Sequence, residues 1–307
     1  MNSAQPEFRG VFAPIPTPFA SDGSIDWAAL KDNVAWWCAT KLAGLVVLGS
    51  NGEAGYLDFD ERAQMVEAVV RQCAGRKTVV AGVGMETTGH TMKLAKAAAA
   101  AGADAVLVLP PHFYEVAMTG PILRDHYRAV ADACPVPVIL YNMPGNTGLN
   151  LGIETPVQLS SHPNIVGLKD SSGDIVQISE IIAGAAPGFA VFAGSGSYLL
   201  PTLVMGGVGA TAAVANVFPD ECAAIIELFE AGKLDLARQL QQALLEANRA
   251  VTSRFNVPGL KAALEILGHY GGPPRLPMQP LDDATRATLE GIIRRAQARC
   301  AEILSGV

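Results

Sequence analysis

The sequence predicts a (β/α)8 TIM barrel with a C-terminal helical extension, on three observations. Short runs of Val, Ile, Leu and Ala are apolar at nearly every position, as parallel strands covered by helices must be. These runs alternate about eight times with longer amphipathic or Ala-rich segments. The turn after the first run reads Pro14-Ile15-Pro16-Thr17-Pro18. A doubly wound dinucleotide fold carries a glycine-rich loop there, and prolines supply no backbone N–H for a pyrophosphate.

Taken in order, the first strand, Val11–Ile15, leads to a helical pattern over Asp26–Thr40, and the second, Gly44–Leu48, to one over Asp58–Cys73. Thr78–Ala81 precedes Thr87–Ala101, and Ala105–Leu109 precedes Gly120–Ala133. Several of these helices begin on a residue whose side chain can accept a hydrogen bond from the first turn, among them Asp26, Asp58 and Thr87. The fifth strand, Val136–Tyr141, runs to the sixth, Ile165–Lys169, with no helix assigned between them. Ile175–Ala183, strand Ala190–Ala193, Ser197–Met205, strand Ala210–Val214 and Pro219–Ala231 complete the alternation. Helical patterns over Leu234–Phe255, Pro258–Leu267 and Asp282–Ile303, broken by Gly271-Gly272-Pro273-Pro274, exceed what barrel closure needs. The expected division is a barrel core over residues 1–220, then the last barrel helix and the helical extension over 221–307.

Composition narrows the partners. With 22 basic and 29 acidic side chains the net charge is −7, which disfavours nucleic acid, because phosphate binding needs a basic face. Half the 307 residues are hydrophobic and 17% are charged, enough for a large core and too apolar for disorder. Cys38, Cys73, Cys134, Cys222 and Cys300 are odd in number and contain no Cys-x-x-Cys pair, so a disulfide framework or zinc knuckle is not expected and a cytoplasmic location fits. Met1–Gly10 lacks the apolar stretch of a secretory signal and the character of a transit peptide. The charge-free run from Ile181 to Pro219 is interrupted repeatedly by glycine and proline, so it reads as buried strands and tight connections.

Barrel enzymes carry their chemistry at the C-terminal ends of the strands, and three strand ends attract attention. Strand six ends on Lys169. Turned inward, a buried lysine loses preference for the ammonium form and offers the free amine that attacks a ketone. An ordinary strand-end lysine with its ammonium in solvent fits the same pattern. Strand five ends on Tyr141, whose phenol on a neighbouring strand can move protons at the same site or sit as a satisfied core hydroxyl. Strand two ends in Gly49-Ser50-Asn51-Gly52-Glu53, where the Ser50 and Asn51 amides can cradle a carboxylate. Such a turn is also an ordinary strand-to-helix connection.

Together these residues resemble the dihydrodipicolinate synthase/N-acetylneuraminate lyase family. Gly49-Ser50-Asn51-Gly52-Glu53, Tyr141-Asn142-Met143-Pro144 and Gly167-Leu168-Lys169-Asp170-Ser171 stand in the family's order and spacing, and the likeness extends from near Gly10 to near Leu281. The resemblance implies a barrel with a helical extension, a homotetramer built from tight dimers, and a pyruvate Schiff base with no metal and no organic cofactor. Within the family the chain is most similar to the 4-hydroxy-2-oxoglutarate aldolases. That likeness rests on the Ser50-Asn51 turn, on Pro144-Gly145-Asn146-Thr147-Gly148-Leu149, and on the tail around Pro258-Gly259-Leu260-Lys261 and His269-Tyr270-Gly271-Gly272-Pro273.

By position the resemblance implies Lys169 as the imine-forming residue and Tyr141 as the proton shuttle. It also implies Ser50 and Asn51 on the pyruvyl carboxylate, with Ser171 and Thr211 lining the pocket. Two departures stand out. Asn146 occupies the place of the synthases' arginine, which grips the aldehyde's carboxylate, and a neutral amide does not replace a bidentate clamp. Phe113 falls where the family offers a tyrosine to the neighbouring subunit's relay, so either the adjacent Tyr114 substitutes by a one-residue shift or the relay lacks that member.

The expected activity is a class I aldolase acting on a 4-hydroxy-2-oxo acid. The alternatives are 4-hydroxy-tetrahydrodipicolinate synthase, or a lyase or dehydratase of longer sugar acids, such as a 2-keto-3-deoxy acid aldolase or N-acetylneuraminate lyase. From a different class stands a non-catalytic 2-oxo acid sensor, which has no need of a buried amine. The five histidines show no ligand spacing, which disfavours a metal-dependent aldolase. Gly194-Ser195-Gly196-Ser197 reads as a small-residue wall beside the pocket, and Glu53, Asp170 and Asp174 as caps or orienting groups.

Overall fold

A computed structural model describes residues 8–306 of the chain; most of the Met1–Gly10 stretch read for a targeting signal lies outside them. Eight parallel strands close into a barrel in sequence order, β1 against β8. They are β1 (Gly10–Pro14), β2 (Gly44–Val47), β3 (Thr78–Gly82), β4 (Ala105–Val108), β5 (Val138–Asn142), β6 (Ile165–Asp170), β7 (Ala190–Ala193) and β8 (Gly209–Thr211). Around them lie α1 (Trp27–Cys38), α2 (Phe59–Cys73), α3 (Thr88–Ala100), α4 (Gly120–Ala133), α5 (Pro144–Thr147), α6 (Glu154–Leu159), α7 (Ile175–Gly184), α8 (Leu199–Val204) and α9 (Pro219–Glu230). The tail adds α10 (Leu234–Arg249), α11 (Asn256–Ile266) and α12 (Asp283–Ser305).

The strands are apolar on both faces because each face has its own core. Phe12, Val46, Val80, Leu107, Ile139, Tyr141 and Phe192 fill the barrel interior. Their neighbours one residue along, such as Ala13, Leu45, Val79, Val106, Leu140 and Leu168, pack outward against the helices. This alternation decides the site: β6 carries Leu168 outward, so Lys169 points in. Side-chain caps fix several helix starts where expected: Asp26, Asp58, Thr87, Asp174 and Asp282 each accept from a first-turn backbone N–H.

The structure departs from the sequence reading in four places. The connection from β5 to β6 holds α5 and α6, of four and six residues, too short to display a helical period. The eighth strand stops at Thr211, and Ala213–Asn216 form a 3₁₀ turn, pinned where Asn216 Nδ2 donates to Ala213 O (3.1 Å) and Pro14 O (3.0 Å). Its continuous small apolar residues hide that change from any periodicity. The pattern over Leu234–Phe255 is α10 followed by a π-helical turn at Ala250–Arg254. Strands β1 and β5 are displaced by one or two residues from their expected ends. The charge-free Ile181–Pro219 stretch is divided among α7, β7, α8 and β8, and among the described residues no helix is long and apolar enough to cross a membrane.

Candidate active site

Parallel pairing places Tyr141 directly opposite Lys169, and Asn142 opposite Asp170. Lys169 Nζ lies 3.9 Å from the centre of the Tyr141 ring, and both side chains are buried. From the turn after β2, Ser50 Oγ reaches the Tyr141 hydroxyl at 3.3 Å. Burial raises the Tyr141 phenol's pKa, but the Lys169 charge and the Ser50 hydrogen bond, with the Lys169 and Ser171 side chains nearby, outweigh it, leaving the phenol below the ordinary tyrosine value. A phenol so placed is suited to accept a proton close to the amine.

Behind this pair, the fully buried Asp170 holds the ends of β5 and β6 in place through donors rather than a cation. Asn142 Nδ2 (2.9 Å) and Gln177 Nε2 (3.1 Å) donate to Oδ2, while Ser172 N (2.8 Å) and Ser172 Oγ donate to Oδ1. Asn150 bridges the two amides at 2.9 and 3.1 Å. The Asp170 carbonyl accepts from the Tyr198 hydroxyl (3.0 Å) and Gly194 N (2.7 Å). A Cβ on Gly194 would overlap Ser171 Oγ, so β7 approaches this closely only through glycine.

The turn after β2 is a 3₁₀ turn over Ser50–Gly52, bracketed by left-handed Leu48 (φ 62°) and Glu53 (φ 54°). Non-glycine residues in that region cost about 1–3 kcal/mol each and persist where surroundings hold them. The holds are visible: Thr17 Oγ1 donates to Gly52 O at 2.6 Å, and Glu53 pairs with Lys261 Nζ at 2.6 Å. Burial pulls the Lys261 ammonium below the ordinary lysine value, opposed by Glu53.

These groups open on a cavity of about 1580 Å³ lined by Ser50, Asn51, Tyr141, Asn146, Lys169 and Ser171. Gly194, Ser195 and Ser197 form part of its wall, the small-residue surface expected there. Thr211 lies deeper in the barrel, beside a void of about 10 Å³ with Phe12, Val46 and Phe192, and does not line the large cavity. Phe113 and Tyr114 are 76% and 72% exposed, with ring centres 5.0 Å apart, and lie outside it.

Sequence reasoning passed over several cavity groups. Asn248 on α10 donates to Ser195 Oγ (2.9 Å) and Ser197 Oγ (2.7 Å), so the extension supports the loop after β7. Glu86 accepts from the backbones of His112 and Phe113, both at 2.9 Å. Arg249 lines the cavity and pairs with no carboxylate among the described residues. Nothing in the local sequence marks these, because each reaches the cavity from a separate part of the chain. No group of three or more His, Cys, Asp or Glu suited to hold a metal occurs among the described residues.

The dihydrodipicolinate synthetase family pattern matches residues 7–296. The chain belongs to that family. Family members include both aldolases and synthases, and the chain is similar to each. It is 40% identical over 280 residues to the "Probable 4-hydroxy-2-oxoglutarate aldolase, mitochondrial" of Emericella nidulans, spanning 89% of this chain and 90% of that protein. It is 34% identical over 287 residues to the 4-hydroxy-tetrahydrodipicolinate synthase of Pelobacter propionicus, spanning 94% and 98%. Among solved structures it resembles a prophage protein of E. coli K12 belonging to the dihydrodipicolinic acid synthase family, determined in complex with pyruvate, with TM-score 0.89, 28% identity and coverage of 94% and 99%. As a dihydrodipicolinate synthetase family member the chain is a lyase of the aldolase type, and the (β/α)8 barrel is the architecture expected of it.

Proposed function

We propose that this chain is a class I aldolase that cleaves or forms a 4-hydroxy-2-oxo acid with pyruvate as one product or substrate. The observation that carries the reading is the buried contact of Lys169 Nζ with the Tyr141 ring at 3.9 Å, at a cavity also lined by Ser50 and Asn51. In this reading the Lys169 amine attacks the C2 ketone and water departs, giving a protonated imine. Tyr141, as phenolate, takes the C4 hydroxyl proton while the C3–C4 bond breaks. The bonding pair moves into the imine to form an enamine, and an aldehyde leaves. Protonation at C3 and hydrolysis return pyruvate and the free amine. Ser50 and Asn51 hold the carboxylate, Ser171 assists Tyr141, and Thr211 supports the pocket from below. The imine is the electron sink, so the reading uses no metal and no organic cofactor.

The 4-hydroxy-2-oxoglutarate class is supported by the Emericella relative and by Asn146 in the cavity wall. Arg249, which lines the cavity and pairs with no carboxylate among the described residues, supports a substrate with a second acid group. The second reading, 4-hydroxy-tetrahydrodipicolinate synthase, is favoured by the synthases at 34–36% identity and opposed by the neutral Asn146. The exposed Phe113 and Tyr114 support a homo-oligomer, with the tetramer as the proposed state, and five free, buried cysteines support a reducing compartment such as the cytoplasm. Borohydride reduction with pyruvate, followed by intact mass and peptide mapping, is expected to place a pyruvyl adduct on Lys169 and none on Lys169→Ala. Turnover of 4-hydroxy-2-oxoglutarate above aspartate semialdehyde condensation separates the two readings. An unmodified wild-type protein would overturn both.

A further inference from the structure

Glu53 and Lys261 are the most deeply buried ion pair among the described residues, with side chains 0% and 1% exposed. Such a pair adds little net stability, because desolvation offsets the Coulomb attraction, so its value lies in where it sits. Glu53 closes the Ser50–Gly52 turn in a left-handed conformation. Its Oε1 meets Lys261 Nζ on α11, and its Oε2 accepts from the backbone N–H of Arg275 at 2.8 Å. Lys261 donates in turn to Pro273 O at 2.8 Å and lies 4.5 Å from the Phe19 ring centre. Three separated parts of the chain, the turn after β2, α11 and the segment at 273–275, therefore converge on one carboxylate.

We infer that Glu53 and Lys261 are positioning residues through which the C-terminal extension holds the Ser50–Asn51 turn in the shape that receives the carboxylate of the 2-oxo acid. The inference rests on the proposed function, since that reading places the carboxylate at Ser50 and Asn51. The barrel supplies the lysine and the tyrosine, and the extension completes the anion cradle from outside. Two left-handed non-glycine residues flank the cradle, so a turn released from α11 has a lower-energy backbone to relax into.

The test measures half-saturation by pyruvate in borohydride trapping at Lys169, alongside turnover and thermal melting. The double variant Glu53→Gln with Lys261→Met removes both charges together and leaves no buried ion unpaired. It is expected to fold and to need roughly 10- to 100-fold more pyruvate for half-saturation, with the trapped fraction at saturation preserved. Glu53→Asp keeps the charge but draws the turn by one methylene, and it raises half-saturation in the same direction. Glu227→Gln, which breaks the exposed pair with Lys41, leaves half-saturation unchanged. A folded double variant, or a folded Glu53→Asp, with wild-type half-saturation overturns the inference. Failure of the wild type to trap pyruvate at all defeats instead the reading on which it rests.

Discussion

Removing the Asp170 carboxylate tests whether its donor network positions Lys169 and Tyr141. In Asp170→Ala, four hydrogen bonds to a buried carboxylate disappear: those from Asn142 Nδ2, Gln177 Nε2, Ser172 N and Ser172 Oγ. Asn142 and Gln177 keep Asn150 Oδ1 as an acceptor, and the half-buried Ser172 can turn to water. Bonds to charged groups contribute about 1.5–3 kcal/mol each, and with half of that loss recovered the net cost is about 3–6 kcal/mol. At about 2–4 °C per kcal/mol the melting temperature falls by roughly 6–24 °C. The ends of β5 and β6 then lose their lateral tie, and since a misplacement near 1 Å can cost about a hundredfold, turnover falls on that order. Thermal melting and steady-state lyase rates decide the matter. An alanine variant that melts within about 2 °C of the wild type and retains its turnover refutes the positioning argument.

Tyr141→Phe is expected to lower lyase turnover by about 10²–10⁴-fold, the usual worth of a positioned acid–base group. Because the Tyr141 pKa is lowered, its phenolate stabilises the fold fully above the unfolded value near 10, and that support is lost as pH falls through the lowered native value. Absorbance titration of phenolate, wild type minus Tyr141→Phe, is expected to show a component titrating below about pH 10, and its absence contradicts the assignment. His126 is buried, with Nδ1 on Thr88 Oγ1 at 2.9 Å, and burial pushes it down to about 4. Neutral His126 is therefore tolerated above pH about 6.5, and about 3 kcal/mol of stability is lost as pH falls from there toward the native value. His126→Gln is expected to flatten the acid limb of a melting-temperature profile, and an unchanged limb shows that another group governs it.

The barrel was legible because its signal is local: doubly apolar strands alternate with capped helices, and one or two residues of slippage at β1 and β5 do not disturb that pattern. Lys169 and Tyr141 were legible for the same reason, as polar residues that end apolar strands. The short α5 and α6 were not, since neither completes two helical turns, and the end of β8 was hidden in a run of small apolar residues. Thr211 illustrates a finer gap: the sequence places it on the last strand, but only the closed barrel sets it beneath the cavity beside Phe12 and Phe192.

By itself the sequence determined the kind of fold and marked Lys169, Tyr141 and the Ser50–Asn51 turn as candidates, because each is written in adjacent residues. The tertiary structure decided what those residues meet. Parallel pairing sets Tyr141 against Lys169, Asp170 draws donors from β5, its own following loop and α7, and Lys261 finds Glu53 across more than two hundred residues of chain. Such contacts depend on register, burial and long-range closure, which no local pattern encodes.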